Sequence, residues 1–225
     1  MRTEQAALIG AAGLLAYGAW RLYQGQQGDT LESVADTAGE LLDTVTDTAD
    51  TAAGWVDSMT GGTMQLSRMG RVTAADLANR NVRALLAVIR RGEGTADAAG
   101  YRRMFGGELF DSYADHPRKR ITKTLGGKSI TSTAAGAYQF LSSTWDETAR
   151  AMGLHDFSPA SQDMAAVGRI AARGALDDAK AGRLDAALPK IAKEWASMPG
   201  SPYGQPTIST AAAWNTCTGA GGQIA

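Results

Sequence analysis

A mainly helical α+β fold is what this sequence predicts, and three observations predict it. Apolar residues recur at three- and four-residue steps through much of the chain, the period of amphipathic helices. Between about residues 100 and 140 that period is broken by Gly106-Gly107, Pro117 and Gly126-Gly127, which fits short strands or hairpins better than helices. With 44% apolar residues and a single cysteine, Cys217, stability must come from a core rather than from cross-links. The expected result is helices enclosing a small β lobe, with a cleft between them.

Charge divides the chain into three parts: residues 1–26, 27–70 and 71–225. Residues 6–20 carry no charge. The stretch is shorter than the ~20 residues that span a bilayer, but Arg21 with its head snorkelling, then Leu22 and Tyr23, brings it close. Trp20 and Tyr23 would sit at the interface. A membrane anchor or signal-anchor through residues 6–23 is the favoured reading. A cleaved signal peptide and a helix packed on a partner compete with it, though the n-region is thin, with Arg2 set against Glu4.

Between Leu22 and Ser67 there is no Lys or Arg, yet there are eight acids. Leu31, Val34, Ala38, Leu41, Leu42, Val45, Ala49, Ala52, Val56 and Met59 keep a helical period. This segment reads as an acidic amphipathic spacer, solvated or bound to itself or to other proteins. From Thr73 onward 18 basic residues face 14 acidic ones, a net +4. A mildly basic cleft suits an anionic polymer, and a mixed solvated surface explains the same excess.

In the third part Thr73 and Asp76 form a capping box. The helix that follows puts Leu77, Ala84, Leu85, Val88 and Ile89 on one face and ends at Gly92, a glycine suited to a C-cap. Helices return at Ser142-Ser143-Thr144, at Ser158-Pro159 with proline in the first turn, and as a last amphipathic run from Leu184 to Met198. Trp145 and Trp195 read as core. His116 and His155 are not spaced as a metal pair, and no metal motif occurs, so no metal or other cofactor is expected.

Glu93 stands between Gly92 and Gly94 where the first helix runs out. A carboxylic acid at that place can reach into a cleft and transfer protons, provided partial burial keeps it protonated near neutral pH. Most acids at helix ends are simply solvated. A hydrolase of the usual kind also needs a second carboxylate, and Asp97, Glu108, Asp111 and Asp115 are the candidates.

A series of blocks extends this reading: Glu93-Gly94-Thr95, Gly106-Gly107-Glu108-Leu109-Phe110, Tyr113-Ala114-Asp115-His116-Pro117-Arg118 and Ser132-Thr133-Ala134-Ala135-Gly136-Ala137-Tyr138-Gln139. Further on come Asp156-Phe157-Ser158-Pro159, Trp195-Ala196-Ser197-Met198-Pro199-Gly200 and Tyr203-Gly204-Gln205. In these blocks, from about Leu85 to Thr207, the chain resembles the endolysin family of bacteriophage lambda, phage lytic transglycosylases with a lysozyme-like fold. The resemblance implies peptidoglycan as the partner, with no nucleic acid. It implies that Glu93 protonates the glycosidic oxygen between N-acetylmuramic acid and N-acetylglucosamine. Glu93 then acts as base while the muramic acid's C6 hydroxyl attacks C1, leaving a 1,6-anhydro end. It further implies that Tyr138 and Gln139 line the cleft, with Tyr203 and Gln205 as weaker candidates of the same kind, against readings as a core tyrosine and a turn amide; Ser132 and Thr133 are candidate substrate contacts or cap a turn.

Arg102-Arg103 departs from the lambda-type pattern. The phage T4-type lysozyme pattern, with an aspartate eleven residues after the glutamate, fails because position 104 is Met. The alternatives are a hydrolytic muramidase and an inert glycan-binding or structural virion protein. A cysteine peptidase or amidase using Cys217 with His155 lacks the sequence context such enzymes carry. The expected location is the phage virion or the host inner membrane and periplasm.

Overall fold

A computed structural model describes residues 64–225 apart from 126–127 and 204–205. The hydrophobic N-terminal segment and the spacer up to residue 63 lie outside the described residues. Among the described residues no helix is long and apolar enough to cross a membrane.

Residues 64–69 are helical. Then follow α1 (Ala74–Ala78), α2 (Arg80–Gly92) and a 3₁₀ turn (Gly100–Arg102). A hairpin comes next, β1 (Ile121–Leu125) and β2 (Lys128–Ser132), and then α3 (Ser142–Met152), α4 (Pro159–Ala172), α5 (Leu176–Lys180), α6 (Leu184–Ile191) and α7 (Thr210–Gly219). The strands pair antiparallel with Ile121 opposite Ser132. Isolated bridges join Arg103 to Leu109 and Ala135 to Met104 and Phe140, tying the segment after the 3₁₀ turn to the one that leads from β2 to α3. The mainly helical α+β architecture with a small β lobe therefore stands.

Two elements differ from expectation, and the C-terminal helix adds a third that the sequence pattern does not assign. The first helix is two helices, because Asn79 breaks it. Its backbone is extended, and its side-chain oxygen accepts from the Asn81 and Val82 amides, capping α2 afresh. The capping box of Thr73 and Asp76 is present, but it serves only the short α1. The run from Leu184 stops at Ile191, just after Pro189 removes a rung of the ladder. Residues 192–198 then leave the helix and cross behind the end of α2. The C-terminal stretch, which has no strong period, is α7, with Cys217 buried at 4% exposure. Gly222 brings that end against α2: a Cβ there would lie 2.7 Å from Ala84 Cβ.

The core gathers Val82, Leu85, Val88 and Ile89 of α2 with Ala166 and Ile170 of α4, Leu188 and Ile191 of α6, and Trp195. Trp145 and Phe157 stack edge to face at 4.6 Å in the same interior. α2 is thus surrounded by α4, α5, α7 and the segment after α6. Its last turn is delivered to the junction with the β lobe.

Candidate active site

Gly92 is the last residue of α2, and Glu93 continues the turn, its amide donating to Ile89 O at 2.8 Å. The left-handed residue that ends the helix is Gly94 (φ 68°), one step later than the sequence pattern puts the cap. Gly92 serves a different need. A Cβ there would fall 2.2 Å from Met198 Cε and 2.6 Å from Ser197 Oγ, so only glycine lets the 197–198 segment press against the helix end.

The Glu93 side chain is buried, at 3% exposure. Ser197, itself fully buried, donates its hydroxyl to Glu93 Oε1 at 2.7 Å. The loop beyond the glutamate is clamped from both sides. Thr95 is buried and its hydroxyl donates to Ala137 O, in the turn that leads out of the β lobe. Arg90 donates to Thr95 O at 2.9 Å and lies over the Tyr101 ring at 4.5 Å. Gly100 has no room for a side chain, since a Cβ would meet Thr95 O at 1.9 Å.

The other candidate carboxylates look outward. Asp97 pairs with Arg103, Asp111 with Arg102 and Asp115 with Arg118, and all three are exposed, as is Glu108. Burial pushes the Asp115 carboxyl up, but the His116 amide and Arg118 outweigh it and hold it below its ordinary range.

The predicted contact residues fall into distinct settings. Ser132 is buried and its hydroxyl accepts from the Ala134 amide at 3.1 Å. Thr133 Oγ1 accepts from the Ser142 amide at 3.1 Å, so the lobe caps α3, whose own N-cap residue offers no side-chain bond. Gln139 adopts a left-handed backbone (φ 47°) and spends its amide N–H groups on Arg103 O and Gly136 O, while part of the side chain stays open. Tyr203 is half-buried and its hydroxyl reaches Lys193 O at 3.2 Å. Gln205 lies outside the described residues.

Tyr138 is fully buried and donates to Asp163 at 2.6 Å, beside Tyr101, which donates to the same oxygen at 2.8 Å. Burial, then the Asp163 charge, pushes the Tyr101 hydroxyl up to about 12, and the same causes raise Tyr138. These groups edge an open groove of about 470 Å³ on the outer side of α1 and α2, whose wall does not include Glu93.

Among the described residues no three His, Cys, Asp or Glu side chains gather as a metal site. Cys217 is buried, and burial pushes its thiol up, the opposite of what an attacking thiolate needs. Sequence reasoning missed Ser197, Thr95 and Arg90. Only the quoted block around Trp195 touches the first of them, and nothing in its spacing aims a serine at Glu93.

A helical body joined to a two-stranded lobe, with a buried carboxyl at a helix end, is a lysozyme-like fold. The chain superimposes on the bacteriophage lambda lysozyme complexed with a chitohexasaccharide with a TM-score of 0.60 at 38% identity, covering 65% of this chain and 97% of that one. A second structure of lysozyme from bacteriophage lambda gives a TM-score of 0.57 at 36% identity. The endolysin of Escherichia phage lambda is 41% identical over 133 residues, 56% of this chain and 82% of the relative. That of Escherichia phage P2 is 39% identical over 139 residues, 56% of this chain and 84% of the relative. The endolysin family model matches residues 83–224. The chain belongs to the endolysin family, the lysozyme-like phage enzymes that degrade peptidoglycan.

Proposed function

We propose that this chain is a lytic transglycosylase, cleaving the β-1,4 bond between N-acetylmuramic acid and N-acetylglucosamine with Glu93 as its acid–base group. The contrast among carboxylates carries the reading. Glu93 is buried beside a hydroxyl, whereas Asp97, Glu108, Asp111 and Asp115 are exposed and three of them are paired with arginines. A hydrolytic muramidase needs a second carboxylate ~5–9.5 Å from the first, as nucleophile or as base for water. A transglycosylase does not, because its nucleophile belongs to the substrate.

Glu93 gives its proton to the glycosidic oxygen as the C1–O bond breaks. The resulting carboxylate takes the proton of the muramic acid's C6 hydroxyl while that oxygen bonds C1. The departing sugar keeps the first proton, Glu93 regains one, and no water is consumed. Gln139, Thr133 and Tyr203, each partly open, are the proposed sugar contacts, with Gln205 beside Tyr203 in sequence. Ser132 and Tyr138 would act from behind them, through the turn and the ring packing they already hold. The chitohexasaccharide bound by the lambda lysozyme supports an extended glycan as ligand.

The test is mass spectrometry of purified murein digested by the full-length protein. Anhydro ends are the expected product. Reducing ends would replace this reading with hydrolysis, and free stem peptides would remove glycosidase action altogether. Glu93→Gln is expected to lose about 10²–10⁴-fold in rate, the usual worth of a general acid–base group. The apolar segment 6–23, whose one charge is Arg21, and the acidic spacer fit a tethered enzyme acting at the host membrane or during virion entry. Finding the protein in purified virions would favour entry.

A further inference from the structure

We infer that Ser197 is a positioning residue for the Glu93 carboxyl: its hydroxyl holds Oε1 and fixes the orientation in which the group exchanges its proton. The inference rests on Glu93 being the acid–base group. Ser197 Oγ donates to Oε1 at 2.7 Å, between two buried side chains 104 positions apart. The torsions of a carboxyl side chain are soft, and a fixed donor on one oxygen sets the plane of the group before the proton moves. After the proton leaves, the same donor steadies the carboxylate that must act as base.

Separate features of the fold hold that hydroxyl in place. Gly92 lacks the Cβ that would collide with Ser197 Oγ, so the serine can lie over the helix end. The Ser197 carbonyl accepts from the Ile208 amide at 2.9 Å. Two residues earlier, Trp195 Nε1 donates to Tyr138 O at 3.1 Å, fixing the segment to the lobe's exit. Glu194, alongside, is locked to Arg169 and Arg173 at 2.7 Å each. The donor therefore approaches Oε1 from a segment anchored on three sides, a preorganised arrangement.

The experiment measures kcat and KM on soluble glycan strands for the full-length wild type, Ser197→Ala, Glu93→Gln and the double variant, with thermal melting to verify folding. Ser197→Ala is expected to lower kcat about ten- to a hundred-fold with KM within about twofold, as small misplacements of reacting groups do. In the Glu93→Gln background the same change is expected to cost less than about twofold. An unchanged kcat in a folded Ser197→Ala protein overturns the inference, as does a full tenfold further loss in the double variant. Should the alanine variant not fold, Ser197→Cys decides by the same criteria, since a thiol fills the site but donates weakly. A fully active Glu93→Gln would sink the proposed function and this inference together. An inactive Glu93→Gln beside an unaffected Ser197→Ala sinks only the inference.

Discussion

His116 carries its single ring proton on Nε2, and its neighbours dictate this. Nε2 lies 2.9 Å from the Phe140 carbonyl oxygen, which only accepts, while Nδ1 lies 3.1 Å from the Arg118 amide, which only donates. A second proton would have to displace that amide inside a buried site. Burial, aided by the Arg118 charge and opposed by the Phe140 carbonyl and two aspartates, brings the imidazole down to about 4. The unfolded chain binds a proton below about pH 6.5 and the folded one does not until about pH 4, so stability is full above that window and falls as pH drops through it. The loss is about 3 kcal/mol from this residue. Urea unfolding at pH 7 and pH 4.5 checks it: His116→Gln is expected to be less stable than wild type at pH 7, with the gap narrowing markedly at pH 4.5. A constant gap would contradict the assignment. Nothing in the sequence distinguishes this histidine from a surface one. Glu93, by contrast, was legible, because two glycines and a helix end single it out and the surrounding blocks resemble a known family. The serine that touches it was not, since a contact across 104 residues leaves no local pattern.

Helices whose boundaries rest on local chemistry were the readable ones. Ser158 caps α4 with Pro159 in its first turn, and Thr73 with Asp76 opens α1, all as the side chains require. The start of α3 at Ser142 was readable although its cap comes from Thr133 on the lobe, whereas the end of α6, which gives way to the segment that carries Ser197, was not. The break at Asn79 is local chemistry that a longer hydrophobic stripe concealed. Asn79→Ala is expected to cost about 1 kcal/mol, the ordinary worth of an N-cap, read as a lower urea midpoint with an unchanged slope. The segment after α6 depends on Glu194. Burial pushes that carboxyl up, but Arg169 and Arg173 outweigh it and hold it below its ordinary range. Arg169 is itself buried and shared with Glu147 on α3. Removing Glu194 leaves the buried Arg169 guanidinium with Glu147 as its remaining carboxylate partner, so Glu194→Ala is expected to destabilise by about 2–3 kcal/mol, less than the loss of a sole partner. The lost stability should appear in thermal melts together with lower activity near the new midpoint, because the same segment presents Ser197. A melt within a degree of wild type would show the network to be dispensable.

The whole molecule divides by where its core begins. Met69 is the first residue buried among those described, and Arg68 reaches the Ala172 carbonyl at 3.4 Å, so the helix at residues 64–69 already packs on the enzyme body. Among the described residues, every member of the main buried cluster lies at Val82 or beyond. The lambda lysozyme structures, 97% covered by 65% of this chain, are further grounds for treating the preceding residues as separable from catalysis. A chain starting at residue 64 is therefore expected to melt within a few degrees of the full protein and to digest isolated murein at a rate within about twofold, because it keeps the whole cluster described from Val82 onward. Membrane association should separate the two. Residues 6–23 approach spanning length, with Trp20 and Tyr23 as interfacial residues, so only the full chain is expected to sediment with vesicles of bacterial lipid. The acidic spacer would gain nothing from anionic lipid, so binding should survive high salt, unlike adsorption by a basic patch. Equal sedimentation of both chains would return the first 26 residues to the reading in which they pack on a protein partner. A truncated chain that failed to fold would mean that the enzyme body draws part of its stability from the residues before 64.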